Sequence, residues 1–269
     1  ILNEITSFSS KEVDTYHKFW SNFGAVIKEG LYEFNDHHDK ILPLLRFQTS
    51  ESEDLISLDD YLKKMKSDQK EIYYFANTDK DHIKNSPQLE GFIANKIPVL
   101  FMTDAVDEFW LQNIQKFKEK EFKSITKGKV DLSKLKKDSD KKDNINKNVT
   151  KINDLINVLK KELEAKISNV IISDRLTKSP ILLVADETSM DINMEKLMKM
   201  HNKKTQDSKK ILEINVDHPM IIKLSETLTK VDHKKLSNLL LDQANILDGN
   251  VLSNPTNYIE SLTDLFIKP

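Results

Sequence analysis

Cysteine is absent from the 269 residues. That excludes disulfides, thiolate catalysis and cysteine-ligated zinc, and it fits a reducing compartment. Glycine is nearly as scarce: the five are Gly24, Gly30, Gly91, Gly128 and Gly249, with no two close together. No phosphate-cradling glycine loop can be assembled from that set. Arginine is scarcer still, with only Arg46 and Arg175 among 41 basic residues. Base and phosphate recognition leans on the guanidinium fork, and the formal net charge is -2, so nucleic acid is a poor fit as a partner. No apolar run approaches the roughly 20 residues of a membrane span, and no signal-peptide pattern opens the chain. Charged residues make up 31% and mean hydropathy is -0.51, so a soluble chain without a membrane partner is expected. The first residue, Ile1, falls inside a segment already under way, which predicts a piece of a longer protein.

What is present is strong helical periodicity. Tyr16, Phe19, Trp20, Phe23, Val26 and Ile27 fall on one apolar face of a helix over 12–29, with Gly30 as its stop. A second helix is expected over 37–47, with Ile41, Leu44 and Leu45 inward. A third starts at Ser57, where Ser57 and Asp60 resemble a capping box. The period then changes. Ile72-Tyr73-Tyr74-Phe75 and Val99-Leu100-Phe101-Met102 read as buried strands, and 122–125 as a third. Between the first two, Ser86-Pro87 opens a helix with Leu89, Phe92 and Ile93 inward, and another helix covers 105–117. Alternating strand and helix predicts a small parallel sheet packed by helices, an αβα subdomain over about 69–126 behind a helical connector.

Residues 127–150 mix lysine and aspartate without aromatics and read as a charged, solvated linker. A second domain, 151–269, begins with a helix over 149–167 carrying Ile152, Leu155, Ile156, Leu159 and Leu163. Strands at 170–172, 181–184 and 211–214 and a helix over 189–201 follow, then helices over 217–228, 233–247 and 255–267. The whole is α+β or α/β in class. Leu236, Leu239, Leu240, Leu241, Ala244 and Leu247 crowd the penultimate helix; Tyr258, Ile259, Leu262, Leu265 and Phe266 crowd the last. Two such helices at a chain end lack neighbours in one protomer, which predicts a homodimer closed by a four-helix bundle.

Few residues carry chemistry. His37-His38 between Asp36 and Asp39 point to different helix faces and read as a surface turn, not a metal site. His218-Pro219 reads as a strand-to-helix turn. Asp104, Asp107 and Glu108 cluster at a strand end. They suit acid–base work on a small molecule, though Asp104 is equally a helix N-cap. The methionines stand apart: four of seven, Met190, Met194, Met198 and Met200, fall within eleven residues. With Ile192 and Leu197 they make a soft thioether face, either ordinary core or an adaptable binding surface. Phe109-Trp110 cannot both face inward from one helix, so one ring is expected outside.

Tyr16-His17-Lys18-Phe19-Trp20-Ser21-Asn22-Phe23-Gly24, Leu44-Leu45-Arg46-Phe47, Ser86-Pro87-Gln88-Leu89-Glu90 and Val99-Leu100-Phe101-Met102-Thr103-Asp104 with Asp107-Glu108 resemble the middle domain of the 90-kDa heat-shock chaperone family. Arg175-Leu176-Thr177, Glu213-Ile214-Asn215 with Asp217-His218-Pro219, and Leu240-Leu241-Asp242-Gln243-Ala244 resemble its C-terminal dimerisation domain. The likeness runs in order along nearly the whole chain, and with no acidic tail after Pro269 it is to the bacterial form.

The resemblance implies the rear of a middle domain plus a dimerisation domain of a cytoplasmic, ATP-driven homodimeric chaperone. ATP and magnesium would belong to the full-length protein, an ATPase, and no cofactor and no catalytic residue to this chain. Client contacts carried over from the family fall on Glu108, Phe109 and Gln112, with Trp110 as the alternative ring, and on Met190, Met194, Leu197 and Met198. Implied partners are a second copy, unfolded or partly folded client proteins, and another chaperone. Two other classes remain open at this point: a small-molecule enzyme working through the three carboxylates, and a purely structural dimerisation module.

Overall fold

The computed structural model describes residues 1–33, 37–128, 130, 132, 149–200 and 208–267. It is α+β throughout and divides into two compact units, Ile1–Asn85 with Asn95–Ile125, and Ser86–Ala94 with Thr126–Pro269. Most of the lysine–aspartate stretch read as a linker, 129, 131 and 133–148, lies outside the described residues, as does Asp36 beside the paired histidines.

The first unit opens with α1 (Leu2–Lys11) and the long α2 (Val13–Glu33). Tyr16, Trp20, Lys28 and Leu31 form the buried stripe of α2, with Ile27 partly buried, whereas Phe23 and Val26 are exposed. The apolar face is therefore narrower than the sequence pattern suggested. Gly30 does not end α2; the helix runs on to Glu33, and Gly30 lies against the Ile41 side chain. The helix expected over 37–47 is cut to α3 (His38–Ile41) and a 3-10 turn over Leu42–Leu44, because Pro43 cannot sit inside a longer helix. After the short strand β1 (Gln48–Thr49), Ser57 caps α4 (Leu58–Lys64). Its hydroxyl accepts the Asp60 N–H at 3.1 Å and donates to the Asp60 carboxylate at 2.7 Å.

Strand β2 (Glu71–Ala76) is followed by α5 (Lys80–Asn85), and α6 (Glu90–Ala94) by β3 (Leu100–Met102), α7 (Asp107–Asn113), β4 (Lys116–Phe117) and β5 (Lys120–Ser124). The sheet order is β1-β3-β2-β5-β4. Its three central strands are parallel, as expected, with Phe75 opposite Phe101 and Ile72 opposite Phe122. Both edge strands are antiparallel, so the sheet is mixed. The helix expected to reach Phe117 stops at Asn113, and Phe117 turns instead into the β4–β5 hairpin through Lys118 at φ 53°.

In the second unit, α8 (Val149–Glu162) buries Ile152, Leu155, Ile156 and Leu159, with Leu163 just past its end, against β6 (Ile167–Ile172), β7 (Ile181–Val184) and β8 (Lys210–Ile214). β6 runs parallel and β7 antiparallel to the central β8. Helices α9 (Ile192–Met200), α10 (Pro219–Glu226), α11 (His233–Leu247) and α12 (Pro255–Ile267) complete it. His218 caps α10, its Nδ1 accepting the Met220 N–H at 3.1 Å, which gives the expected turn its physical role.

The segment Ser86–Ala94, which includes α6, packs as part of this second unit. The Glu90 carboxylate accepts the N–H groups of Thr177 at 2.7 Å, Lys178 at 2.6 Å and Ser179 at 3.0 Å. Gln88 donates to the Leu183 carbonyl at 2.7 Å and accepts from Arg175 at 3.1 Å, and Arg175 is paired with buried Glu213 at 3.0 Å. Ile93, expected inward, is exposed.

Candidate functional site

The carboxylate cluster at the end of β3 is an internal brace. Asp107 is fully buried, and its Oδ2 accepts from Lys28 at 2.8 Å and from the Asp104 N–H at 3.1 Å. Its Oδ1 accepts the Trp110 indole N–H at 2.8 Å. Lys28 reaches Asp104 at 2.8 Å as well, tying α2 to the start of α7. Burial raises the Asp107 pKa, with the Lys28 ammonium acting in the opposite direction. Asp104 is not the N-cap of α7; the direction is reversed, and the Asp107 side chain satisfies the backbone of Asp104. Glu108 is also buried. Both Asp107 oxygens are thus engaged by neighbours in the protein and Glu108 is enclosed, so of the trio only Asp104, with a side chain 39% exposed and held by Lys28, reaches solvent.

This brace decides which of the two adjacent rings faces out. Trp110 is fully buried, hydrogen-bonded to Asp107 and edge-on to Phe122 at 5.5 Å, so it presents nothing to a partner. Phe109 is half-buried and Gln112 exposed. Phe109 meets the Tyr32 ring edge-on at 5.8 Å, and Tyr32 is 56% exposed. Tyr32 was missed in the sequence because it lies off the apolar stripe of α2, beyond Ile27, the last of the residues that announce that helix.

In the second unit, Asp191 starts α9: its Oδ1 accepts the Asn193 N–H at 3.0 Å and its Oδ2 the Thr126 hydroxyl at 2.8 Å. The methionines divide. Met194 is buried beside Ile192, so it belongs to the core and not to an exposed face. Met190 is exposed, Leu197 and Met198 are half-buried, and Met200 is 76% exposed. Glu195 turns inward to Lys199 at 2.7 Å, Ser208 at 2.7 Å and Lys210 at 3.3 Å. Burial pushes its pKa up, but these donors outweigh burial and the net direction is down.

The last two helices also divide. Leu236, Leu239, Leu240 and Ala244 of α11 are buried within the single chain, Leu236, Leu240 and Ala244 in the cluster formed with α8 and the sheet. They are therefore already covered, contrary to the expectation that both helices need a partner copy. The open apolar residues lie further on: Leu247 at the end of α11, Val251, and on α12 Ile259, 57% exposed, and Ile267, 70% exposed. Tyr258 and Leu262 are half-buried; the side chains of Leu265 and Phe266 lie outside the described residues. Among the described residues no His, Asp and Glu group is arranged to hold a metal ion, and no helix is long and apolar enough to cross a membrane.

The motifs and the α+β architecture find their family through comparison with known proteins. The profile described as Hsp90 protein matches residues 1–268, and the chain belongs to that family. It is 41% identical to the chaperone protein HtpG of Roseobacter denitrificans over 97% of this chain, and 35% identical to that of Wolbachia pipientis over 99%. It is 38% identical to that of Ruthia magnifica over 98% of its length. The chain spans 43%, 43% and 42% of the length of these three relatives.

Proposed function

We propose that this chain is the client-holding and dimerising portion of a bacterial, cytoplasmic chaperone whose ATP and magnesium are bound elsewhere in the full-length protein. The observation that carries the reading is apolar surface left open on helices: exposed Met190 and Met200 with half-buried Met198 on and beside α9, and half-buried Phe109 with exposed Tyr32 in the first unit. A thioether face has three rotatable bonds per side chain and adapts to many apolar segments, which suits loose, weak capture of non-native chains. Glu108 is buried too deeply to add more than backbone positioning; Gln112 supplies the polar edge. Another chaperone is a further partner implied by the family.

Association of two copies follows α12 and the end of α11, through Leu247, Tyr258, Ile259 and Leu262, with Leu265 and Phe266 on the same helix. Pairing the ends of two copies in a four-helix arrangement would cover these residues and set two client surfaces in one assembly, raising effective concentration for a client that spans both. The small-molecule enzyme reading is weakened, since Asp107 and Glu108 are buried and Asp104 is held by Lys28.

The test is a pair of surface truncations, Phe109→Ser and Met198→Ser, in a chain whose melting is checked in parallel. Fluorescence anisotropy of a labelled, permanently unfolded protein should show about tenfold weaker binding for the double variant, corresponding to about 1.4 kcal/mol. Unchanged affinity with the fold intact would remove these two residues from the client surface.

A further inference from the structure

The first unit holds a cavity of about 270 Å³ bounded by α2, the β1 strand and the end of β3. Its lining includes Trp20, Lys28, Arg46, Lys80, Thr103 and Asp104. Two of these are nine-tenths buried as residues, yet their nitrogens are not among the enclosed atoms that lack a partner, so a donor of each stays reachable. Trp20 is 6% exposed, and among the described residues its indole N–H has no hydrogen-bond partner. Arg46 is 9% exposed; one terminal nitrogen donates to the carbonyls of Pro43 at 3.0 Å, Leu44 at 3.1 Å and Leu45 at 2.9 Å. Its other terminal nitrogen makes one long contact, 3.4 Å to the Ser9 carbonyl. Among the described residues no carboxylate pairs with the guanidinium: Asp59 and Asp60 act on it only at a distance and are bonded to Lys118 and to Ser57 and Lys63. Its partners among the described residues are these carbonyls and the Tyr16 ring, 4.8 Å from the guanidinium carbon, and none of them is an anion.

The charges around the cavity are three cations, Lys28, Arg46 and Lys80, against Asp104, which is itself held by Lys28, with Asp107 behind that ammonium. We infer that this cavity is an anion site for a phosphoryl group, bound by the Trp20 indole N–H, the free edge of the Arg46 guanidinium, the Thr103 hydroxyl and the Lys80 ammonium. Guanidinium and neutral N–H or O–H donors supplied to one cavity by several elements match a tetrahedral oxyanion better than a point charge does. The space exceeds what a bare phosphate fills, and Phe47 and Phe101 wall the remainder, so the fitting ligand is a phosphomonoester with a small ring as its body. Gly24 makes the site possible. A Cβ there would lie 2.7 Å from Trp20 Cε2, the ring carbon that carries the indole nitrogen. The inference is independent of the chaperone reading, since none of these residues belongs to the client surfaces.

The chain has two tryptophans, so a proton–nitrogen NMR spectrum carries two indole signals, and Trp110, bonded to Asp107, is the internal control. Titration with inorganic phosphate or phenyl phosphate should move the Trp20 indole signal saturably and leave that of Trp110 in place. Tighter binding of phenyl phosphate identifies an organic phosphomonoester as the ligand class; equal binding identifies free phosphate. Lys80→Gln, at the exposed rim, should weaken binding about tenfold. Gly24→Ala should abolish the Trp20 response by displacing the ring. A Trp20 signal that moves no further than with sodium chloride at the same ionic strength, or moves together with that of Trp110, overturns the inference, as does unchanged affinity in Lys80→Gln.

Discussion

Replacing Lys28 with Met is expected to destabilise the first unit by about 3–5 kcal/mol, the range for removing one partner of a buried ion pair. Lys28 and Asp107 are both almost wholly enclosed, and among the described residues the ammonium is the one full positive charge bonded to that carboxylate. Removing it leaves a carboxyl whose remaining partners, the Trp110 indole and the Asp104 N–H, are neutral. The pH dependence has a definite sign. Burial raises the Asp107 pKa in the folded protein, so its contribution favours folding below the ordinary carboxylate range and is lost as pH rises through the raised value. Without the opposing effect of Lys28 that value climbs further. The deficit of Lys28→Met against the parent chain should therefore be larger near pH 7 than near about pH 3, below the ordinary carboxylate range, where a carboxyl with a raised pKa is protonated in both. Urea midpoints at the two pH values measure it. A deficit independent of pH would mean that Lys28 acts through packing against Trp20 and Phe47 alone.

The second large effect separates core from interface in the C-terminal helices. Leu240 is 1% exposed inside the second unit's core, so Leu240→Glu should cost on the order of 4 kcal/mol or more, through a lost apolar contact and a buried, unpaired carboxyl. The outcome is loss of fold, visible by circular dichroism, and not a folded monomer. Ile259 lies on α12 with its side chain largely open. Ile259→Glu should leave melting within about 0.5 kcal/mol of the parent, as exposed substitutions do, while sedimentation velocity shows a shift from dimer to monomer. A folded Leu240→Glu monomer would place that residue at the interface after all; a dimer unchanged by Ile259→Glu would take α12 out of it.

Long amphipathic elements were legible because their periodicity is redundant. The buried positions of α8 are the ones its 3.6-residue spacing marks, and α11 begins and ends where the pattern does. Exposure was less legible wherever it depends on distant residues. Whether Phe109 or Trp110 turns outward is settled by Asp107 and Lys28, and Lys28 is 79 residues from Asp107 in sequence. Met194 reads like Met198 in a helical stripe, yet only the first meets the core, because α9 is only partly covered. The β4–β5 hairpin gave no sign of itself, since its turn uses Lys118 at positive φ where glycine or asparagine would have announced it. The membership of Ser86–Ala94 in the second unit rests on Glu90 accepting backbone N–H groups almost ninety residues away, a long-range pairing that no local pattern encodes.

The most direct measurement of the central claim is whether the chain discriminates folding state. One labelled protein is prepared in its native form and as a reduced, permanently unfolded form, and anisotropy is followed as this chain is added. The account predicts saturable binding of the unfolded form, no detectable binding of the native form at the same concentrations, and no requirement for ATP. Equal binding of both forms, or binding of neither, would contradict it.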